Sequence, residues 1–317
     1  MTSAHPRPPD VEALETRRLA TGFFALAGVT YVLIVLGALV RAHGAGLACP
    51  DWPLCFGELI PRFDFKVAFE WGHRALAGSV GIVFLALLGL TLRRPALRMR
   101  MRAGLLGAAL LLGAQVVLGG LTVLELLARW TVTSHLVTGN AFALSLVLLG
   151  RRLLRLAGGS PVDGFDAAGS PTASQATTAQ RGWVSLAGAL LALQVVLGGL
   201  VSSSYAGLAC PDWPTCMNGE VFPTWSGVQG LHVLHRTLGY AVVVVTAIAA
   251  WAAMGHAGSR RWVATAAGLA ILQVAVGVTN VLLRLPVEVT AAHSALAAGL
   301  VCCVGVSVRE VWRRPAA

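Results

Sequence analysis

The sequence is poor in charge, and poorest in acidic charge. Only 12% of its 317 residues are charged, with 14 acidic against 24 basic side chains. Soluble domains carry about 25% charged residues. With 56% apolar residues and a mean hydropathy of +0.73, a soluble fold of this length could not hide its apolar surface. The same composition excludes disorder, which needs low hydrophobicity and high charge. Six cysteines do not make a small disulfide scaffold, and the glycines follow no collagen period. Lysine is nearly missing: Lys66 stands alone among arginines, a coding bias rather than a function. A net charge of +10 suggests nucleic acid, but the arginines lie in short clusters between apolar runs, where they set membrane topology. No nucleic-acid partner is therefore expected. What remains is an all-α polytopic membrane protein.

Eight stretches are long enough to cross a bilayer as helices. They are Ala20–Val40, Trp71–Leu92, Ala103–Leu124, Thr131–Gly150, Trp183–Ser203, Leu231–Met254, Trp262–Leu283 and Val289–Val308. The polar segment before Arg18 has no apolar core and no small-residue cleavage site, so the first span is expected to serve as an uncleaved anchor. One side of the membrane would hold Arg7, Arg17, Arg18, the cluster Arg93 to Arg102, the linker arginines 151, 152, 155 and 181, and Arg260, Arg261, Arg309, Arg313 and Arg314. The other would hold Arg41, Arg62, Lys66, Arg129 and Arg284. This bias places both termini in the cytoplasm and the loops 43–69 and 204–230 outside.

The chain repeats itself. Gly46-Leu-Ala-Cys-Pro-Asp-Trp-Pro recurs at Gly207, His73-Arg74 recurs at His235-Arg236, and His135 recurs at His293. Gln115-Val-Val-Leu-Gly-Gly recurs at Gln194 and, loosely, at Gln273. An even number of spans per half makes the repeats parallel, related by a pseudo-two-fold axis along the membrane normal. The expected fold is thus two tandem four-helix bundles, 20–150 and 183–308. A Gly/Ser/Thr/Ala-rich cytoplasmic linker, 151–182, joins them, and tails 1–19 and 309–317 flank them. Small residues in the Gln-x-x-Leu-Gly-Gly motifs read as close helix packing, with no chemistry.

His73, His135, His235 and His293 each fall near the outer end of an even-numbered span, two per half. Two inward imidazoles at matched depth in a four-helix bundle suit axial ligation of heme iron. A helix–helix hydrogen bond or a proton relay is the bland reading, which the duplication disfavours. His43, His232 and His256 sit at boundaries; His256 and the tail residue His5 receive no role. Arg74 and Arg236 are either snorkelling residues or guanidinium forks for heme propionates. Glu70 lies one turn before His73, and its counterpart in the second half is His232. A carboxylate at the edge of a membrane site is a functional candidate, against the bland role of a helix N-terminal acid. The half that carries it reads as catalytic, the other as a plain cofactor site. Cys49 with Cys55 and Cys210 with Cys216 form two pairs on the disulfide-permissive side. They serve redox chemistry or loop shape; a zinc site shared by all four is the weaker alternative. Trp52 and Trp213 read as interface anchors, and Cys302 and Cys303 as packing residues.

On these residues the chain resembles the heme A synthase family. The resemblance rests on GLACPDWPLC at 46–55, Glu70-x-x-His73-Arg74, His135, GLACPDWPTC at 207–216, His235-Arg236 and His293, and covers about residues 20 to 308. It implies oxidation of a methyl group of heme O to a formyl group, giving heme A for terminal oxidase assembly. By motif, His73 and His135 would serve the substrate heme, His235 and His293 a heme B cofactor, and Glu70 would be the catalytic carboxylate. Heme O synthase, oxidase assembly factors, membrane lipid and a second copy of the chain are the partners the resemblance suggests. His43 stands where many relatives carry a small hydroxyl residue. A di-heme b-type electron carrier, a quinone-coupled thiol–disulfide protein and a parallel-repeat transporter are the rival readings. The first has no use for a carboxylate in one half only, and the second leaves four matched histidines unexplained.

Overall fold

The computed structural model describes residues 9–158 and 175–313. Among them are eight long helices and no strand: α1 (Pro9–Ala42), α2 (Phe65–Leu92), α3 (Pro95–Leu124), α4 (Arg129–Leu156), α5 (Thr178–Ser203), α6 (Gly227–Ala252), α7 (Arg260–Leu282) and α8 (Val287–Val311). All eight are long and apolar enough to cross a membrane. The helices overrun the expected spans at several ends. Half of the expected linker, residues 159–174, lies outside the described residues, and its two ends are helical, as far as Leu156 and from Thr178.

Local chemistry sets the helix starts. The Asp64 carboxylate accepts the Val67 N–H at 2.9 Å and caps α2. Pro95 opens α3, where its missing N–H has no cost. Thr177 and Gln180 form a reciprocal capping box at α5. Two turns at one end of the bundle are twins. Leu126 and Leu127 join α3 to α4, and Arg284 and Leu285 join α7 to α8, all with φ between 48° and 63°. Such left-handed conformations are uncommon without glycine. In each turn the N–H of the second residue, a leucine, closes onto a carbonyl five residues back, Leu127 to Thr122 and Leu285 to Asn280. Each of these leucines also faces a loop glycine: a Cβ on Gly46 would meet Leu127 at 3.4 Å, and one on Gly207 would meet Leu285 at 2.9 Å. The strained turns thus dock the glycine-led loops.

Neighbour relations also repeat. Within the first four helices α1 packs on α2 and α4, and α3 on α2 and α4; α5 to α8 pair in the same pattern. The two sets meet through α1 with α8, α4 with α5, and α4 with α8. Where α4 begins and α5 ends, Thr133 and Ser203 share a hydrogen bond, and Gly199 leaves room for the Thr133 methyl. Arg41 donates to the carbonyl of Ser202, its own counterpart in the repeat, and stacks over Tyr205. At the opposite end Glu310 of α8 receives Arg151 and Arg155 of α4 at 3.1 and 2.7 Å. That carboxylate is buried, with Arg313 as a third cation at 3.5 Å.

Candidate functional site

Each of the four candidate histidines rests on a glycine of the preceding helix. A Cβ placed on Gly119, Gly198 or Gly277 would stand 3.0–3.3 Å from Cε1 of His135, His235 or His293. Gly37 stands in the same relation to His73, but there the nearest ring atom is Nε2, at 3.1 Å. His73 and His135 lie within electrostatic range of each other, as do His235 and His293. The structure therefore brings the histidines together in pairs, one pair per half.

This geometry adds to the packing explanation of the Gln-x-x-Leu-Gly-Gly motifs, which holds at Gly199, where α5 lies close against the Thr133 backbone of α4. The first glycine makes room for an imidazole rather than for a neighbouring helix backbone. The second serves other contacts: a Cβ on Gly120 would stand 3.1–3.2 Å from the Trp52 ring, and Gly199 faces α4. The glutamine is the residue the sequence reading missed. Gln115, Gln194 and Gln273 each donate from Nε2 to the backbone carbonyl of His135, His235 and His293, all at 3.0 Å. The signal was present in the sequence: the glutamines recur every 79 residues, each 20 or 41 residues ahead of a candidate ligand.

Above each pair sits a cysteine loop closed by its own disulfide, Cys49–Cys55 and Cys210–Cys216. With each pair bonded internally, the four sulfurs are not free for a shared zinc ion. Arginine holds each loop down. Arg74 donates to the carbonyls of Cys49, Asp51 and Leu54 at 3.1, 2.7 and 2.6 Å. Arg236 donates to the three matching carbonyls, Cys210, Asp212 and Thr215, at 2.6, 2.9 and 3.1 Å. Counting its 2.5 Å bond to Glu70, Arg74 commits four N–H donors to protein groups. Such a planar fork suits several carbonyls at once.

The residue four before the arginine differs between halves. Buried Glu70 accepts the Cys49 N–H at 2.8 Å on one oxygen and Arg74 on the other. Buried His232 meets the Cys210 N–H at 3.3 Å through Nδ1 and Arg236 Nε at 3.2 Å through Nε2. A neutral imidazole offers one acceptor, so it cannot satisfy both donors as the carboxylate does. Within the first loop the Gly57 N–H, at 2.8 Å, and then the Phe56 N–H, at 2.6 Å, hold the Asp51 carboxyl below its ordinary value. A cavity of ≈ 180 Å³ opens beside this loop between Leu54, Cys55, Trp71 and Arg74.

The remaining candidates fall elsewhere. His43 lies against the rings of Phe65 and Phe69. Trp213 donates to the Tyr240 hydroxyl at 3.0 Å. His256 is buried at the other end of the molecule, with Nδ1 2.8 Å from the Ser259 hydroxyl. Cys302 and Cys303 are unpaired and partly buried in α8. His5 lies outside the described residues.

The donor set fits a heme. Among the described residues no three His, Cys, Asp or Glu side chains cluster as they would around a bare metal ion. Paired imidazoles are what axial ligation asks for. Nδ1 of His135, His235 and His293 is buried without a partner, although an unsatisfied buried polar atom costs about 1–3 kcal/mol. Eight helices long and apolar enough to cross a membrane, with one histidine pair under each disulfide loop, define a multi-pass membrane protein whose histidine pairs could each hold a heme.

The comparisons agree. The model of the COX15-CtaA family, described as cytochrome oxidase assembly protein, matches residues 20–66 and 61–304, and the chain belongs to that family. A heme A synthase of Shewanella oneidensis is 28% identical over 330 residues, covering 90% of this chain and 94% of the relative. Heme A synthases of Methylobacterium radiotolerans and Methylorubrum extorquens are 28% and 29% identical, covering 91% and 99% of this chain and 89% and 94% of theirs.

Proposed function

We propose that the protein is a heme A synthase, an oxidoreductase that converts a methyl group of heme O to the formyl group of heme A for terminal oxidase assembly. The observation that carries this reading is the duplicated histidine pair on glycine-backed helices, made unequal by Glu70 in one half and His232 in the other. Family membership and the names of the relatives support it. In this reading residues 20–150 form the substrate half and 183–308 the cofactor half, related by a two-fold axis along the membrane normal. His73 and His135 hold heme O; His235 and His293 hold heme B. The protein sits in the cell membrane with both termini in the cytoplasm, as the arginine distribution favours.

Converting a methyl to a formyl group removes four electrons and adds one oxygen atom. Heme B supplies one-electron transfer when bound. The protein's own task is placement. The histidines fix the porphyrin, the helices exclude water, and Glu70 sets a negative charge one turn from His73. Because the Cys49 N–H and Arg74 fix both its oxygens, that charge is oriented in advance. It stabilises positive charge developing on the oxidised carbon. Arg74 and Arg236 act on the loops over the two sites, the role their carbonyl contacts support.

The test is extraction and chromatography of heme from the purified protein. Heme O or heme A beside heme B is the expected result. Heme B alone at two equivalents would turn the assignment to a b-type electron carrier.

A further inference from the structure

The four histidine sites are not equally built. Three have a glutamine four residues before the backing glycine: Gln115 before Gly119, Gln194 before Gly198 and Gln273 before Gly277. On α1 the residue four before Gly37 is Leu33, which can donate nothing. The ring at that fourth site is also turned. Cε1 is the atom nearest the glycine in His135, His235 and His293, whereas His73 presses Nε2 on Gly37. A missing polar partner and a different ring orientation, two separate observations, single out the same histidine.

The three glutamines do more than fill space. Each reaches across to the next helix and donates to the carbonyl of the histidine itself. In the second half the amide oxygens of Gln194 and Gln273 are buried without a partner, as are Nδ1 of His235 and His293. An iron-ligating imidazole ordinarily donates its other ring N–H to an oxygen, which fixes tautomer and ring angle. Here the unused acceptor and the unused donor belong to residues already joined by a hydrogen bond.

We infer that Gln115, Gln194 and Gln273 are positioning residues for three axial histidines. His73, with Leu33 in place of the amide, is then built as the releasable ligand of the substrate half. This deepens the heme A synthase reading and rests on it. A resident cofactor gains from two braced ligands. A substrate that must enter and leave gains from one firm ligand, His135, and one that lets go.

The test reads heme binding rather than turnover. Heme release from the purified protein is followed by transfer to excess apomyoglobin, with hemin added to fill the first half, and the low-spin iron signals are recorded by electron paramagnetic resonance. Gln194→Met keeps the length of the side chain but removes its donor and acceptor. It should speed release from the second half about 10- to 100-fold and shift its g-values. Gln115→Met should do so in the first half only, with the second-half heme as internal reference. Leu33→Gln should slow first-half release by about tenfold. Unchanged rates and g-values in both Met variants would overturn the inference, as would equal release from the two halves of the unmodified protein. A purified protein that binds no heme in either half would instead overturn the proposed function.

Discussion

Glu70 and His232 occupy the same place in the two halves, and each faces the backbone N–H of the first cysteine in its loop, at 2.8 and 3.3 Å. The loops are otherwise held alike, by Arg74 and Arg236 on three equivalent carbonyls. The carboxylate is therefore the chemical difference that the two loop anchors do not share. A purely structural acceptor could be the same residue twice.

Replacing Glu70 by Gln keeps size and one acceptor oxygen but removes the charge. The variant should bind both hemes and accumulate heme O, or a partly oxidised alcohol, in place of heme A. Loss of a preorganised electrostatic contact of this kind costs about a hundredfold or more in rate. A helix-terminal acid would matter by only about 0.3–1 kcal/mol of stability. Pigments extracted from cells carrying the variant separate the two roles; near-normal heme A would make Glu70 structural.

Exchanging His235 or His293 for a non-ligating residue should abolish the low-spin heme B absorbance. Exchanging His73 or His135 should spare that signal and stop heme A formation. A His293 variant with its full heme B spectrum would remove the assignment of the second half.

The acid response of the first loop follows from Asp51. Its carboxyl lies below the ordinary value of 3.8, chiefly through the Gly57 amide. A depressed folded value means the contribution is complete above the unfolded value and is lost as pH falls through the folded one. Hydrogen exchange at the Phe56 and Gly57 amides should therefore be protected equally at pH 7 and 5, apart from intrinsic rates, and lose protection only below about 3.8. In Asp51→Asn that acid step should vanish; its persistence would show that another group controls the loop.

Much of this was written in the sequence. Apolar runs gave the eight helices because length and hydropathy suffice to define a span, and the exact recurrence of the cysteine motif, at 46 and 207, exposed the duplication. That His73 and His135 fall at one depth was legible from their places in the second and fourth spans. The partners of Arg74 were not, since a basic side chain near a heme site suggests propionates, and three loop carbonyls leave no mark in residue identity. The glutamines were misread for a related reason. Beside two glycines they look like part of a packing motif, and only the helix register places their amides on the histidine carbonyls. Glu310 was invisible as well, because its arginines lie about 155–159 residues away in sequence.

That carboxylate carries the last prediction. Glu310 binds Arg151 and Arg155 across the seam between α8 and α4, and both its own side chain and that of Arg151 are almost fully buried. Arg151 also lies over the Trp262 ring at 5.0 Å. Removing Glu310 deprives both arginines of a shared buried carboxylate, and breaking a buried pair in this way costs about 3–5 kcal/mol. Glu310→Gln should therefore lower the thermal unfolding temperature in detergent by several degrees, without moving the heme B spectrum at the far end of the helices. The double variant Glu310→Gln with Arg151→Met should regain part of the loss, because the stranded charge goes with it. A single variant as stable as the unmodified protein would mean that this ion pair does not hold the seam. A double variant less stable than the single one would mean that the aromatic contact of Arg151 outweighs its ion pair.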